Sequence, residues 1–280
     1  MHEILTHLGP GRRVLDLGSG AGSFSSRNGS FIAIRADLDR PSSPAANFAQ
    51  ADAARLPFPD RAFDAVISNH SLEHFDDLAG SLAEIGRVLK PDGALYIGVP
   101  DASTWNDRVY RWLARGGGHV NPFTSAEDLA ARIEDATHLA HVATRTLFAS
   151  FSYLNRNNAA VSGPRRILLV GGGTELSLHL YTFFARWSDR LFGTRLSVYG
   201  WALYVGSFAD PIETEAWTNV CVRCGAGAAS QWLRETNGVR RRFLVQVYVC
   251  PNCGTTNFFS EDSHYRHLQA KIVACRSPLR

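Results

Sequence analysis

The chain has 280 residues, a length that fits one large domain or one domain carrying a small module. Hydrophobic residues make up 45% and charged residues 20%, with 16 Phe and 6 Trp, which excludes a disordered polar chain and a low-complexity one. The net charge is +3 and unevenly spread: residues 1–212 sum to −1 and residues 213–280 to +4, so the C-terminal part is locally basic. The stretch 1–7 lacks a basic flank followed by an apolar core, which predicts no secretion signal and a cytoplasmic location. The apolar stretch 167–184 is broken by Gly171, Gly172, Gly173, Glu175 and His179, so no membrane span is expected there.

No fixed-period repeat is present, and the first hundred residues alternate strand-like and helix-like pieces. Residues 13–17, 31–37, 63–68 and 94–99 are short apolar runs that read as strands. Between the last two, Leu78, Leu82, Ile85 and Leu89 recur at helical spacing until Pro91 and Gly93 stop the helix. Strands separated by helices predict an α/β fold with a doubly wound, mainly parallel sheet. Pro41 and Pro44 leave little room for a crossover helix after the second strand. Residues 102–123 read as irregular around Gly116, Gly117 and Gly118. Thr124 with Glu127 then forms a capping box that opens a helix with Leu129, Ile133 and Ala136 on its apolar face. Residues 141–153 and 195–208 are strand-like, and 167–192 reads as mostly helix.

The run Val-Leu-Asp-Leu-Gly-Ser-Gly-Ala-Gly from Val14 to Gly22 places a glycine-rich turn directly after the first strand, followed by an expected helix. Backbone there can approach a ligand, and free N–H groups suit a nucleotide-like molecule. A G-x-G-x-x-G dinucleotide loop would need glycine at position 23, which is Ser23; the pattern is instead D-x-G-x-G-x-G, beginning at Asp16.

With this motif the chain resembles the class I S-adenosylmethionine-dependent methyltransferases, and the likeness continues in order through about residue 125. Asp37 resembles the family's acid at the end of the second strand, and Asp52 its adenine-facing acid. Residues 63–74 and 89–93 are similar to the fourth strand and to the turn before the fifth. The resemblance implies S-adenosylmethionine as cofactor, contacted by Asp16, Gly18, Ser19, Gly20, Asp37, Leu38, Asp52, Ala53, Asn69 and His70. A carboxylate in the place of Asp37 can accept both ribose hydroxyls. The competing reading makes Asp37, Asp39 and Asp52 ordinary solvated turn residues.

Methyl transfer from a sulfonium needs alignment and exclusion of water, and a base only where the acceptor is protonated at neutral pH. His119, in Gly-Gly-His-Val-Asn-Pro-Phe, is the candidate catalytic residue, as substrate contact or base; a loop histidine bonding to backbone is the alternative. Glu73 and His74 read as structural. Trp105, Tyr110, Trp112 and Phe123 are either pocket liners or core.

Five cysteines lie at 221, 224, 250, 253 and 275. Cys221, Cys224, Cys250 and Cys253 form two C-x2-C knuckles, each followed by glycine, and resemble a zinc ribbon. Four thiolates close a tetrahedral shell, so the expected metal is a structural zinc. Cys275 reads as a spare thiol.

The expected organisation is a methyltransferase-like domain over 1–212, with 105–125 and about 154–192 as substrate-side or covering segments, and a zinc-ribbon module with a C-terminal tail over 213–280. The expected function is methylation of a small-molecule or glycan-type acceptor. Alternatives are an RNA methyltransferase that holds nucleic acid through the basic module (Arg240–Arg242, Tyr248 and Phe258), and a non-catalytic cofactor-binding protein.

Overall fold

The structure, a computed structural model, describes residues 4–5, 8–20, 22–24, 30–44, 47–113, 118–157, 172–243 and 245–265. The helix expected just after the glycine turn, Gly171 and Cys275 lie outside these residues.

Seven strands form one sheet in the order β3-β2-β1-β4-β5-β7-β6: β1 Arg13–Leu17, β2 Ile32–Asp37, β3 Phe48–Gln50, β4 Phe63–Asn69, β5 Leu89–Pro100, β6 His141–Phe148 and β7 Val198–Gly206. The pairings β1–β2, β1–β4, β2–β3 and β4–β5 are parallel. Central strands of a parallel sheet are covered on both faces, which is why the middle stretches of β1, β4 and β5 are apolar and buried, although β5 starts with the polar residues 90–93. Val14, Leu15, Val66, Ile67, Leu95 and Ile97 have no solvent exposure. Because β2 and β4 flank β1, the chain winds one way through β1, β2 and β3 and the other through β4 and β5. A crevice therefore opens beyond the carboxyl ends of β1 and β4.

Helix α1 spans Leu78–Val88, with the Asp77 side chain accepting from Gly80 N at its N-terminus. Its buried Leu82 and Ile85 face the core at the expected spacing, but Leu89, expected as the last position of that face, adopts an extended backbone and opens β5, and Val88 closes the buried face instead. The segment expected to be irregular after β5 holds helix α2, Trp105–Leu113. Asp107 N donates to Thr104 Oγ1 at 3.3 Å and Asp107 pairs with Arg111 one turn on at 2.6 Å, so Thr104-x-x-Asp107 was the start signal in the sequence. Helix α3, Ala126–Thr137, is capped by Ser125, which accepts from Asp128 N at 3.1 Å, one residue after the expected Thr124. Thr124 and Ser125 both carry a capping hydroxyl; the extended backbone of Ser125 (φ −140°, ψ 124°) gives it the role. Helix α4 runs from Glu175 to Phe192 between Thr174 and a left-handed Gly193. No helix among the described residues is long and apolar enough to cross a membrane.

Two compact units are present. The first comprises Met1–Ala102, Gly118–Arg145 and Trp201–Thr214, and the second Ser103–Gly117, Thr146–Gly200 and Glu215–Arg280. In the second unit, buried Asp189 accepts from Leu196 N at 2.7 Å and Ser197 N at 2.8 Å, fixing the turn after α4. The cysteine region holds a hairpin of β8 Asn219–Val220 and β9 Gly227–Ala228, and a three-stranded antiparallel sheet of β10 Arg240–Arg242, β11 Val245–Val249 and β12 Thr256–Phe258.

Candidate active site and cysteine cluster

The ends of β1 to β4 bring the sequence candidates together. Gly18 and Gly20 adopt positive φ (67° and 49°), and Gly18 N donates to Ala36 O at 2.8 Å. A side chain at Gly18 would lie 2.3 Å from Ser71 Cβ, so only glycine lets this turn pass beneath the loop after β4. Ser71 Oγ donates to Leu17 O at 3.0 Å, and since its single proton is used there, it accepts from Ser68 Oγ at 2.6 Å. These buried hydroxyls tie the end of β1 to the end of β4.

Asp16 is fully buried on β1. Its Oδ2 accepts from Ser23 N at 2.9 Å, and Arg35 Nε lies 3.8 Å away. Desolvation raises its pKa above the usual carboxylate range, opposed by the hydrogen bonds from Ser23 and the charge of Arg35. Asp16 Oδ1 and Ser19 Oγ are buried with no hydrogen-bond partner among the described residues. Unsatisfied buried acceptors next to a glycine turn fit a ligand that donates hydrogen bonds or carries positive charge.

Asp37 closes β2, with Oδ2 accepting from Gly20 N at 2.7 Å and Oδ1 from Asp39 N at 3.1 Å. Each oxygen retains a lone pair for a hydroxyl donor. Leu38 is 63% exposed. Strand β3, absent from the expected strands, carries the chain to Asp52, whose Oδ1 accepts from Ala54 N at 2.9 Å; Ala53 beside it is buried. Asn69 ends β4, and His70 follows in the left-handed region (φ 57°) with its N–H on Gly98 O at 2.8 Å. Desolvation, then the charges of His119 and His74, hold the His70 imidazole down to about 4.

The segment carrying His119 is strapped across the turn after β4. Val120 N and Asn121 N both donate to Glu73 O, at 2.8 and 3.1 Å, and Asn121 Nδ2 donates to Leu72 O at 3.0 Å and Phe75 O at 2.7 Å. His74 Nδ1 lies 3.0 Å from Gly118 O, and the His74 and His119 rings meet edge to face at 4.8 Å. Asn121 was missed in the sequence because its partners are 46 and 49 residues away. Of the aromatic candidates, Phe123 is core, Trp105 and Trp112 are exposed at 60% and 75%, and Tyr110 stacks edge-on with Tyr153 at 5.6 Å.

In the second unit, the four thiols of Cys221, Cys224, Cys250 and Cys253 converge within 4.8 Å of one another. The Cys221–Cys253 and Cys224–Cys250 sulfur separations are 3.5 and 3.7 Å. A tetrahedral ion with metal–sulfur bonds of about 2.3 Å has edges of about 3.8 Å, so the donor set fits zinc. The two knuckles repeat one pattern: Gly225 N donates to Cys221 O and Gly254 N to Cys250 O, both at 2.9 Å, with both glycines at φ 74°. Arg223 N and Asn257 Nδ2 each point at Cys221 Sγ, 3.4 Å away. Asp262 accepts from Thr218 N at 2.8 Å and Ser230 N at 2.6 Å, joining separate parts of the cysteine region.

A doubly wound sheet with a glycine turn after β1 and acids after β2 and β3 defines a nucleoside-cofactor enzyme of the Rossmann-like class. A family model described as a methyltransferase domain matches residues 15–97. The chain is 32% identical over 152 residues to the uncharacterized protein YafE of Escherichia coli, a match covering 51% of this chain and 70% of that protein. It is 36% identical over 110 residues to the demethylmenaquinone methyltransferase of Deinococcus radiodurans, covering 34% of this chain and 45%, less than half, of that relative. Among solved structures, the YcgJ protein of Bacillus subtilis aligns with a TM-score of 0.45 at 21% identity, covering 74% of this chain and 99% of that one. The chain belongs to the class I S-adenosylmethionine-dependent methyltransferases. The buried, unsatisfied Asp16 Oδ1 suits that family's cationic cofactor.

Proposed function

We propose that this chain methylates a small-molecule acceptor, glycan-type metabolites included, and that its cysteine cluster holds a structural zinc. The observation that carries the reading is Asp16 Oδ1, buried without a partner beneath the glycine turn. In the family, S-adenosylmethionine supplies an activated methyl group. Gly18, Ser19 and Gly20 would hold it through backbone and hydroxyl donors, and Asp16 would attract its ammonium. Asp37 with Leu38 would take its ribose, Asp52 with Ala53 its adenine, and Asn69 with His70 would border the methyl end. The protein's task is then to align the acceptor and exclude water. His119, strapped over the turn after β4, is the group proposed to meet the acceptor.

Calorimetry with S-adenosylhomocysteine, followed by mass analysis of acceptor panels incubated with S-adenosylmethionine, tests this. A gain of one methyl on an acceptor supports the reading. Absence of cofactor binding overturns it, and binding without transfer across a broad panel favours a non-catalytic cofactor-binding protein.

One observation favours a second reading, an RNA acceptor. Arg240, Arg241 and Arg242 are all exposed on β10, and Phe243 at the adjoining turn is 91% exposed, giving charge and a ring for stacking. Nucleic acid that co-purifies and is released by high salt would support it.

A further inference from the structure

We propose that Glu73, His74 and His119 form a binding site for a divalent transition-metal ion at the acceptor end of the crevice, separate from the four-cysteine cluster. One ligand atom from each residue lies within 4.8 Å of the other two. Metal–nitrogen and metal–oxygen bonds of about 2.1 Å put ligand atoms roughly 3 to 4 Å apart, so shifts of under about 1 Å close the set.

The supporting geometry is built rather than incidental. Four hydrogen bonds hold the 118–121 strap against the 72–75 turn: Val120 N and Asn121 N to Glu73 O, and Asn121 Nδ2 to Leu72 O and Phe75 O. His119 is thereby held beside Glu73, whose side chain is only 2% exposed. His74 Nδ1 faces the Gly118 carbonyl at 3.0 Å. A carbonyl only accepts, so Nδ1 carries the proton and Nε2 keeps its lone pair, the outer-sphere arrangement that orients metal-binding imidazoles. Gly118 has φ 72°, a left-handed backbone that favours glycine, and a side chain there would crowd His74 Nδ1 at 3.2 Å.

Two imidazoles and a carboxylate are a nitrogen and oxygen donor set that suits Mn2+, Fe2+, Co2+ or Zn2+ better than Mg2+ or Ca2+, which prefer oxygen alone. Three protein ligands leave coordination positions open. An acceptor hydroxyl bound there would ionise more readily, its proton passing to solvent, which points to alcohol or enol acceptors. The use of the ion rests on the methyltransferase reading; its binding does not.

The test uses the full chain with its zinc retained and other metals removed. Mn2+ is added and its free concentration followed by electron paramagnetic resonance, because Mn2+ competes poorly for thiolates. Saturable binding of one Mn2+ per chain is expected, with Glu73→Gln and His119→Ala each weakening it by about tenfold or more while zinc content and S-adenosylhomocysteine affinity hold. Glu73 is buried, so melting curves accompany its variant; half-buried His119 supplies the variant that keeps the fold. No saturable binding at millimolar Mn2+, or wild-type binding in His119→Ala, overturns the proposal. Failure to bind S-adenosylhomocysteine would instead overturn the methyltransferase reading and leave the Mn2+ result to stand by itself.

Discussion

Asp37 Oδ2 accepts from Gly20 N at 2.7 Å, so the acid that ends β2 also holds the glycine turn after β1 in its conformation. Replacing Asp37 therefore removes two things at once, an acceptor for a ligand's hydroxyls and a brace for the turn. Hydrogen bonds involving a charged partner contribute about 1.5 to 3 kcal/mol each, so Asp37→Ala is expected to weaken S-adenosylhomocysteine binding by roughly tenfold to over a hundredfold. Calorimetry checks this; unchanged affinity would remove Asp37 from the proposed ribose site.

Gly18 and Gly20 share positive φ but differ in surroundings. A Cβ at Gly18 meets Ser71 Cβ at 2.3 Å, whereas one at Gly20 meets nothing within 4 Å. Gly20→Ala should cost about 1 kcal/mol for the left-handed backbone. Gly18→Ala adds overpacking of about 1 to 3 kcal/mol and disturbs the Ser68–Ser71–Leu17 link. Denaturant unfolding of the two variants should separate them by at least about 1 kcal/mol; equal stability would mean that the turn relaxes away from Ser71.

What the sequence revealed was local. The glycine turn, the acid at the end of β2 and both C-x2-C knuckles were legible because spacing over a few residues determines their geometry. The amphipathic face of α1 was legible for the same reason, its spacing holding from Leu78 through Ile85, while Leu89 passed into β5. Helix α2 was obscured by the adjoining glycines, although Thr104 and Asp107 marked its start. Strand β3 is only three residues long, too short for any alternation to register. The meeting of Glu73, His74 and His119 depends on Asn121 reaching carbonyls some 46 residues back, which no local pattern encodes. No local spacing marks Asp262 or Asn257, yet their side chains join the hairpins of the cysteine region.

Zinc at one per chain is expected in protein purified without chelator, beyond any ion bound at the histidine site, and Cys221→Ser should lose it. Asn257 touches the site differently: its Nδ2 points at Cys221 Sγ, 3.4 Å away, while its Oδ1 accepts from Val222 N at 3.0 Å. Asn257→Ala should keep all four ligands but speed zinc loss to a chelator by about tenfold or more, as expected for an outer-sphere partner. Zinc release followed with a chromophoric chelator measures both. Zinc persisting after Cys221 and Cys250 are both replaced would put its ligands elsewhere.

Asp64, at the start of β4, links three parts of the first unit: Arg12 Nη1 at 2.6 Å, Arg13 N at 2.9 Å and Lys90 Nζ at 2.7 Å all donate to its carboxylate. Desolvation would push its pKa up, but the hydrogen bonds from Lys90, Arg13 and Arg12 outweigh it and hold the group at about 2. Because the folded value lies below the unfolded one of about 4, the charged form stabilises the fold above about pH 4, and this contribution disappears as the pH falls toward 2. The difference of nearly two units corresponds to about 2 kcal/mol at neutral pH. Asp64→Asn should therefore lower stability at pH 7 by at least about 2 kcal/mol, since Arg12 and Lys90 also lose their anion. The deficit relative to wild type should shrink between pH 4 and pH 2. Urea unfolding of both proteins across that range is the measurement, and a deficit that stays constant with pH would assign the loss to packing instead of charge.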